Sequence, residues 1–397
     1  MTQSALEIKG RAIFAAVNSL RSALEASRAR LPGMLDELRE LVGSESPSRE
    51  LEAVDATARI VLGQAEAVGL AGELVPAPHG LHLHASLRGS GERRVVLLCH
   101  HDTVFPRGFA SEHPFRVAGE RAHGPGVADM KGGIVVALQA VRLLAPHREL
   151  YGELELVSVP DEEIRSEPFA TIDRLAGADC VLCLECGRPG DGIVSARQAG
   201  RWPEVVACGR SAHAGVDGVN GRNAVLALCR EAVRVAPLDG ARDGLTLHVT
   251  SLHGGDVVNS VPGNARMSFD VRAWRTADVD WAVGQLRAFG RHEGVEIAIE
   301  NDELTPALER TPAVAALAEA AVAIGRELGI PVHEQATGGA SDACWTAAAG
   351  IPSLDGLGPI GALDHTPDEY IEIDSLATRS VLLAGLVAAQ EGFVVTR

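Results

Sequence analysis

Two neighbouring stretches decide how this chain folds: Val95-Val96-Leu97-Leu98-Cys99-His100-His101-Asp102-Thr103-Val104, and Gly124-Pro125-Gly126-Val127-Ala128-Asp129-Met130-Lys131-Gly132-Gly133. The first reads as a buried strand that delivers a His and an Asp at its carboxyl end. The second reads as a Gly-rich loop that delivers another Asp and then enters an apolar helix. Sites in open α/β sheets lie outside the carboxyl ends of strands, so this region predicts half of an active site. On an extended strand residues i and i+2 share a side. His100 and Asp102 can therefore work as a pair, the imidazole binding a metal and the carboxylate fixing its tautomer. The plainer alternative is a strand end with two solvated polar residues. Gly and Pro around Asp129 favour a backbone bent to aim that carboxylate.

Working outward, residues 154–159 read as a strand that finishes in Pro160-Asp161-Glu162-Glu163. Adjacent carboxylates repel unless cations or protons neutralise them, although an acidic helix N-terminus is the alternative. A further strand, 179–184, ends in Glu185, and His365 lies in the run Asp364–Tyr370. The collected groups are His100, Asp129, Glu163, Glu185 and His365, with Glu162 and Asp102 beside them. Imidazole plus carboxylate without a convergent thiolate suits a hydrolytic zinc-type site. One carboxylate bridging two ions holds them at the ~3.5–4 Å of two-metal catalysis, and a spare carboxylate is what a general base needs.

Elsewhere, apolar spacing predicts helix over 11–43 (Ile13, Val17, Leu20, Leu24, then Leu31 to Val42), with Pro32 separating two helices. Ser46 or Ser48 is expected to cap a second helix ending near Val68. Residues 81–87 alternate as a strand whose His82 and His84 share a face, read as solvated. From about Arg201 the order β-α-β-β-α-β over about 100 residues is that of the ferredoxin-like split unit. From about 311 the first pattern returns. The expected domains are 1–200 and 308–397, interrupted by 201–307.

The 397 residues carry a net charge of -17, which argues against a nucleic-acid partner. No run of ~18 apolar residues predicts a membrane span, and Met1 to Arg11 does not read as a signal peptide. Seven cysteines point to reduced thiols in the cytoplasm. Cys180, Cys183 and Cys186 fall on alternating faces of a strand, so they read as buried core thiols instead of a cluster site.

These segments, in order over nearly the whole chain, resemble the two-zinc exopeptidase family of bacterial glutamate carboxypeptidases, aminoacylase-1, acetylornithine deacetylase and succinyl-diaminopimelate desuccinylase. Ser211-Ala212-His213-Ala214-Gly215, Gly221-Arg222-Asn223-Ala224, Asn259-Ser260-Val261-Pro262, Asp270-Val271-Arg272 and Gly338 to Asp342 carry the likeness further. The resemblance implies an α/β catalytic domain, a central mixed sheet flanked by helices, with an inserted ferredoxin-like α+β lid and dimerisation domain. It implies two Zn2+ per subunit, with Co2+ or Mn2+ as alternatives. Asp129 then bridges the ions, His100 and Glu185 complete one site, and Glu163 and His365 the other. Glu162 is the general base and Asp102 orients His100. A cis peptide is expected after Asp129. His213 is expected to hold the oxyanion, from the partner of a homodimer, while Asn259, Arg272 and Gly339 bind the substrate. Without that resemblance, Arg272 reads as paired with a lid carboxylate. The implied reaction is hydrolysis of an amide next to a free C-terminal amino acid, on N-acyl amino acids or small peptides. Aminoacylase, deacetylase or dipeptidase activity on the same scaffold is the alternative, and a non-catalytic binding relative a third. Cys99 and Arg165 stand where the family commonly has Gly. Thr305 next to Pro306, and Arg188 in place of Lys, leave a preference for glutamate open.

Overall fold

The computed structural model describes residues 3–391 other than 166, and side chains from residue 20 onward. The predicted helix positions Ile13 and Val17 therefore lie outside the described side chains. The chain divides into two compact units, residues 1–195 with 310–336 and 341–397, and residues 196–309 with 337–340.

The first unit is built on a six-stranded mixed sheet. Its strands are β1 (Ala71–Ala77), β2 (Gly80–Arg88), β3 (Arg94–His100), β4 (Glu153–Val159), β5 (Cys180–Cys183) and the short Ser353–Leu354, in the order β1-β2-β4-β3-β5-353/354. β1, β2 and β4 are antiparallel neighbours; β3 runs parallel to both β4 and β5. After their first residues β3 and β4 are buried throughout, which is why Val95 to Cys99 of β3 reads as a continuous apolar run instead of an alternating one. His100 lies opposite Val159 and Leu98 opposite Cys183. The carboxyl ends of the three parallel strands therefore emerge side by side, and the polar residues after each are delivered to one edge.

Three helices matter to that edge: α1 (Gln3–Gly43), which packs on other helices, and α2 (Leu51–Ala67) and α3 (Gly132–Leu144), which pack on the sheet. α3 is almost wholly buried. Its start lies so close to the end of β5 that a Cβ at Gly133 would fall 2.2 Å from the Leu184 carbonyl oxygen. Only Gly fits there.

The second unit carries four antiparallel strands in the order 296–301, 204–208, 264–273, 246–254, with helices Ala224–Val235 and Thr276–Arg287. Asn223 caps the first helix by accepting from the Leu226 N–H at 2.9 Å. Leu228, Met267, Phe269, Val279 and Val283 lie in a core of this unit's own.

Three expectations are corrected. Pro32 does not separate two helices, because α1 runs through it. Met34 and Leu38, both fully buried, hold the next turn in place despite the missing backbone bond. Neither Ser46 nor Ser48 caps α2: the position before its first residue is Glu50, with no side-chain cap, and the Ser48 hydroxyl donates to the Thr103 carbonyl at 3.1 Å. His82 and His84 are not on a solvated face. They are buried, with the Thr171 hydroxyl 3.1 Å from His82 Nδ1 and 2.9 Å from His84 Nε2, and Glu155 2.9 Å from His84 Nδ1. The segment containing Phe169 and Thr171 covers that face, which no local pattern foretells. No disulfide joins cysteines among the described residues, and Cys180, Cys183 and Cys186 are buried.

Candidate metal centre

Each strand end contributes one part. His100 closes β3 and is 1% exposed. Its Nε2 lies 2.9 Å from Asp129 Oδ1 and 3.8 Å from Glu185 Oε1. The other oxygen of Asp129 lies 3.0 Å from His365 Nε2, which is 3.2 Å from Glu163 Oε2. The two oxygens of one carboxylate thus face two separate groups. Among the described residues, His100, Asp129 and Glu185 form one set of converging ligand atoms and Asp129, Glu163 and His365 another, the atoms of each set lying within 4.8 Å of one another. The Asp129–Met130 peptide is cis, and His365 sits in the left-handed region at φ 61°.

Asp102 is fully buried behind this pair. Its Oδ1 lies 3.3 Å from His100 Nδ1, and its two oxygens accept the Glu162 and Glu163 backbone N–H groups at 3.2 Å each. One carboxylate therefore orients the imidazole and shapes the turn that carries both glutamates.

The electrostatics describe a site short of positive charge. Burial raises the pKa of Glu162, Glu163 and Glu185, and the charge of Asp129 adds to it in each case. Burial opposes protonation of His100, yet hydrogen bonds to Asp102 and Asp129 and the charge of Glu185 carry its pKa well above the usual imidazole range. Bonds to Asp129 and Glu163 push His365 up to about 11. Burial works against the Asp129 carboxylate as well, but the same two imidazoles bring its pKa below the ordinary value. Without cations, protons hold this cluster together. Oxygen and imidazole donors with no thiolate fit divalent zinc, cobalt or manganese.

Sequence reasoning overlooked the residues that brace this cluster. Glu369, 1% exposed, accepts backbone N–H groups of the Asp129 loop. Lys131, equally buried, donates to the Ser44 carbonyl at 2.9 Å. Arg165, next to the acidic turn, donates at 2.7 Å to both Asp161 and Asp342, all three side chains being below 10% exposed. The sequence marks Arg165 by its position beside Asp161-Glu162-Glu163 and by its standing where Gly is common in the resembled family. We predict that Arg165→Met destabilises the fold by about 3 kcal/mol or more, the cost of leaving buried carboxylates unpaired. Burial raises the pKa of Asp161 and takes Asp342 to about 6. A carboxylate raised in the folded state weakens the fold as pH rises through that value. The penalty of Arg165→Met, read from urea unfolding, is therefore larger at pH 8 than at pH 5. Equal penalties at both would show that charge pairing is not what Arg165 supplies.

The remaining candidates lie in the second unit. His213 is exposed, its Nε2 3.4 Å from Asn259 Nδ2 and its Nδ1 accepting the Gly215 N–H at 3.2 Å. Arg272 is paired with Asp270, through Nε at 2.9 Å and Nη2 at 3.0 Å, and donates from Nη1 to the Gly338 carbonyl at 2.9 Å. These bonds use three of the five N–H hydrogens of a guanidinium. Trp202 Nε1 donates to the same Asp270 at 3.0 Å. The Gly339 carbonyl accepts from Arg197 at 2.9 Å.

Residues 96–389 match the peptidase family M20/M25/M40. The chain is 29% identical over 382 residues to carboxypeptidase G2 of Pseudomonas sp. (strain RS-16), spanning 91% of this chain and 90% of that one. It is 27% identical over 353 residues to a succinyl-diaminopimelate desuccinylase of Xanthomonas oryzae pv. oryzae (strain MAFF 311018), spanning 83% and 92%. Its fold is that of aminopeptidase PepT from Bacillus cereus ATCC 10987, with a TM-score of 0.76 at 19% identity over 90% of this chain and 98% of that one. The M20 family metallo-carboxypeptidase Sso-CP2 from Sulfolobus solfataricus shares it too, with a TM-score of 0.63 at 17% identity over 90% and 99%. No described helix is long and apolar enough to cross a membrane. The chain belongs to the peptidase family M20/M25/M40, and is a metal-dependent hydrolase of amide bonds.

Proposed function

We propose that this enzyme is a two-zinc carboxypeptidase-type amidohydrolase that releases a C-terminal amino acid from N-acyl amino acids or small peptides. The observation that carries the reading is Asp129, whose two oxygens face two different sets of imidazole and carboxylate ligands. His100 and Glu185 would hold one ion and Glu163 and His365 the other, with Asp129 shared by both sets. Two divalent cations so held supply Lewis-acid polarisation of the scissile carbonyl and make water acidic enough to deprotonate near neutral pH.

The protein's own groups do the rest. Glu162 takes the proton of the attacking water on a carboxylate oxygen and returns it to the leaving nitrogen as the C–N bond breaks. Asp102 keeps His100 in the tautomer that directs Nε2 at Asp129. His213 donates to the developing oxyanion, an electrostatic role that counts only in the transition state. The N–H hydrogens of Arg272 left over from Asp270 and Gly338 take the substrate's carboxylate as a fork, with Asn259 and Gly339 lining the same subsite.

The second unit serves as lid and dimerisation domain. In support, among the described residues strand Thr246–Gly254 pairs along one edge only, and it exposes Val249 and Leu252. Open apolar edges invite pairing with another chain. A homodimer through this edge, with His213 serving the partner's centre, follows the same reading, and a cytoplasmic setting agrees with cysteines that form no disulfide among the described residues.

The test is hydrolysis of a panel of N-acyl amino acids, N-succinyl amino acids and dipeptides by zinc-reconstituted protein, each beside its C-terminal carboxamide. Turnover of free carboxylates with little of the carboxamides is expected. Turnover of both alike overturns the carboxypeptidase reading in favour of a deacetylase or aminopeptidase on this scaffold.

A further inference from the structure

Glu369 contacts no member of either ligand set through a side chain, yet it is 1% exposed and aimed at the loop that presents Asp129. Its Oε1 accepts the Ala128 and Asp129 N–H groups at 2.7 and 3.0 Å, and its Oε2 accepts the Gly126 N–H at 3.0 Å. Three backbone donors of one four-residue loop are thus gathered by one carboxylate. Gly126 and Ala128 are buried and Asp129 partly so, and a buried N–H left unpaired is costly. A carboxyl group offers two oxygens, with about four lone-pair sites, to such donors.

The loop that supplies Glu369 also supplies His365. Leu363 and His365 both adopt positive φ, 65° and 61°, and the Glu369 N–H bonds back to the Thr366 carbonyl at 3.2 Å. One short segment therefore grips Asp129 twice, by an imidazole on its side chain and by a carboxylate on its backbone. Gly126, at φ 75°, turns its N–H into this grip, and a Cβ there would come within 2.8 Å of the Thr103 side chain. Fixing the peptide planes from 126 to 129 fixes the direction in which the Asp129 carboxylate leaves the chain. That direction decides whether its oxygens reach His100 and His365 together.

We infer that Glu369 is a positioning residue for Asp129 and sets the affinity for both metal ions at once. The inference rests on the reading of Asp129 as the shared ligand. Glu369→Gln keeps the shape but turns one acceptor into a donor, which then faces a backbone N–H. Outer partners of metal ligands typically govern affinity by about 10–100-fold, and here that loss falls on both ions.

The experiment is competition for Zn2+ against a chromophoric chelator, giving two binding constants, with the visible spectrum of the Co2+ form as a second readout. Wild type, Glu369→Gln, His365→Ala and Glu185→Gln are compared. The expected result is both constants weakened in Glu369→Gln with an altered Co2+ spectrum, against one constant in each control. If the controls each lose one ion while Glu369→Gln keeps both constants within about twofold of wild type, the inference fails and the ligand reading stands. If the controls change nothing, the ligand reading fails and the inference with it. Unfolding of the metal-free protein separates a purely structural role, which would lower stability and leave the constants unmoved. Should Glu369→Gln not fold, Glu369→Asp, which keeps the charge but shortens the reach, carries the same comparison.

Discussion

Glu162→Gln lowers kcat by about 10³-fold or more and leaves the metal in place. General acid–base catalysis contributes about 10²–10⁴-fold, and Glu162 is asked to act twice, on the water proton and on the leaving nitrogen. Its backbone is fixed by the N–H bond to Asp102 Oδ1 at 3.2 Å, a contact Gln retains. In the metal-free chain, burial and the charges of Asp342, Glu163 and Asp129 hold its pKa well above the ordinary carboxylate value. Bound cations lower it again by adding opposite charge, toward the range useful to a base at neutral pH. Gln has no basic oxygen at any pH, so the loss is greatest above the pKa of Glu162 and shrinks below it, where the wild-type base is itself protonated. The measurement is kcat on the best substrate of the panel, with zinc counted by mass spectrometry. A variant keeping more than about a tenth of wild-type kcat with metal bound would remove Glu162 from the role of base.

Asp129→Ala is expected to abolish both metal binding and turnover. It removes one partner from each ligand set, since His100 and His365 each lie within 3.0 Å of a different Asp129 oxygen. The remaining two ligands on each side are too few for a tetrahedral site. Losing the Lewis acid forfeits several kcal/mol of transition-state stabilisation, or about three orders of magnitude or more in rate. Thermal unfolding gives an independent reading. A ligand that binds only the folded state raises stability by about 2.7 kcal/mol at a hundredfold excess over its Kd. Zinc should therefore raise the unfolding temperature of wild type and leave that of Asp129→Ala where it is. A variant that still gains stability from zinc at wild-type concentrations would show that Asp129 is not the shared ligand.

How far these expectations were legible in the sequence follows from how far apart the interacting groups are. His100 and Asp102 stand two apart on a strand end, Glu162 and Glu163 follow β4 directly, and Glu185 follows β5. Strand period and strand ends are local properties, written in the alternation from apolar run to polar cap. The apolar runs likewise mark the sheet, and the order of elements from 204 to 301 marks the split unit of the second domain.

The pairings that brace the centre were not legible. Glu369 meets the Asp129 loop across 240 to 243 residues, and its partners are backbone N–H groups, which every residue type carries. Arg165 meets Asp342 across 177 residues. His82 and His84 alternate as a solvated strand face does, and only the packing of Phe169 and Thr171 over them makes them buried. Pro32 carries the usual mark of a helix break, and the burial of Met34 and Leu38 overrides it. By itself the sequence determined the strands of the sheet and which polar groups follow their ends, because those depend on neighbours in the chain. The tertiary structure alone decided which buried carboxylates are braced, by what, and which faces are covered, because burial and charge pairing depend on neighbours in space.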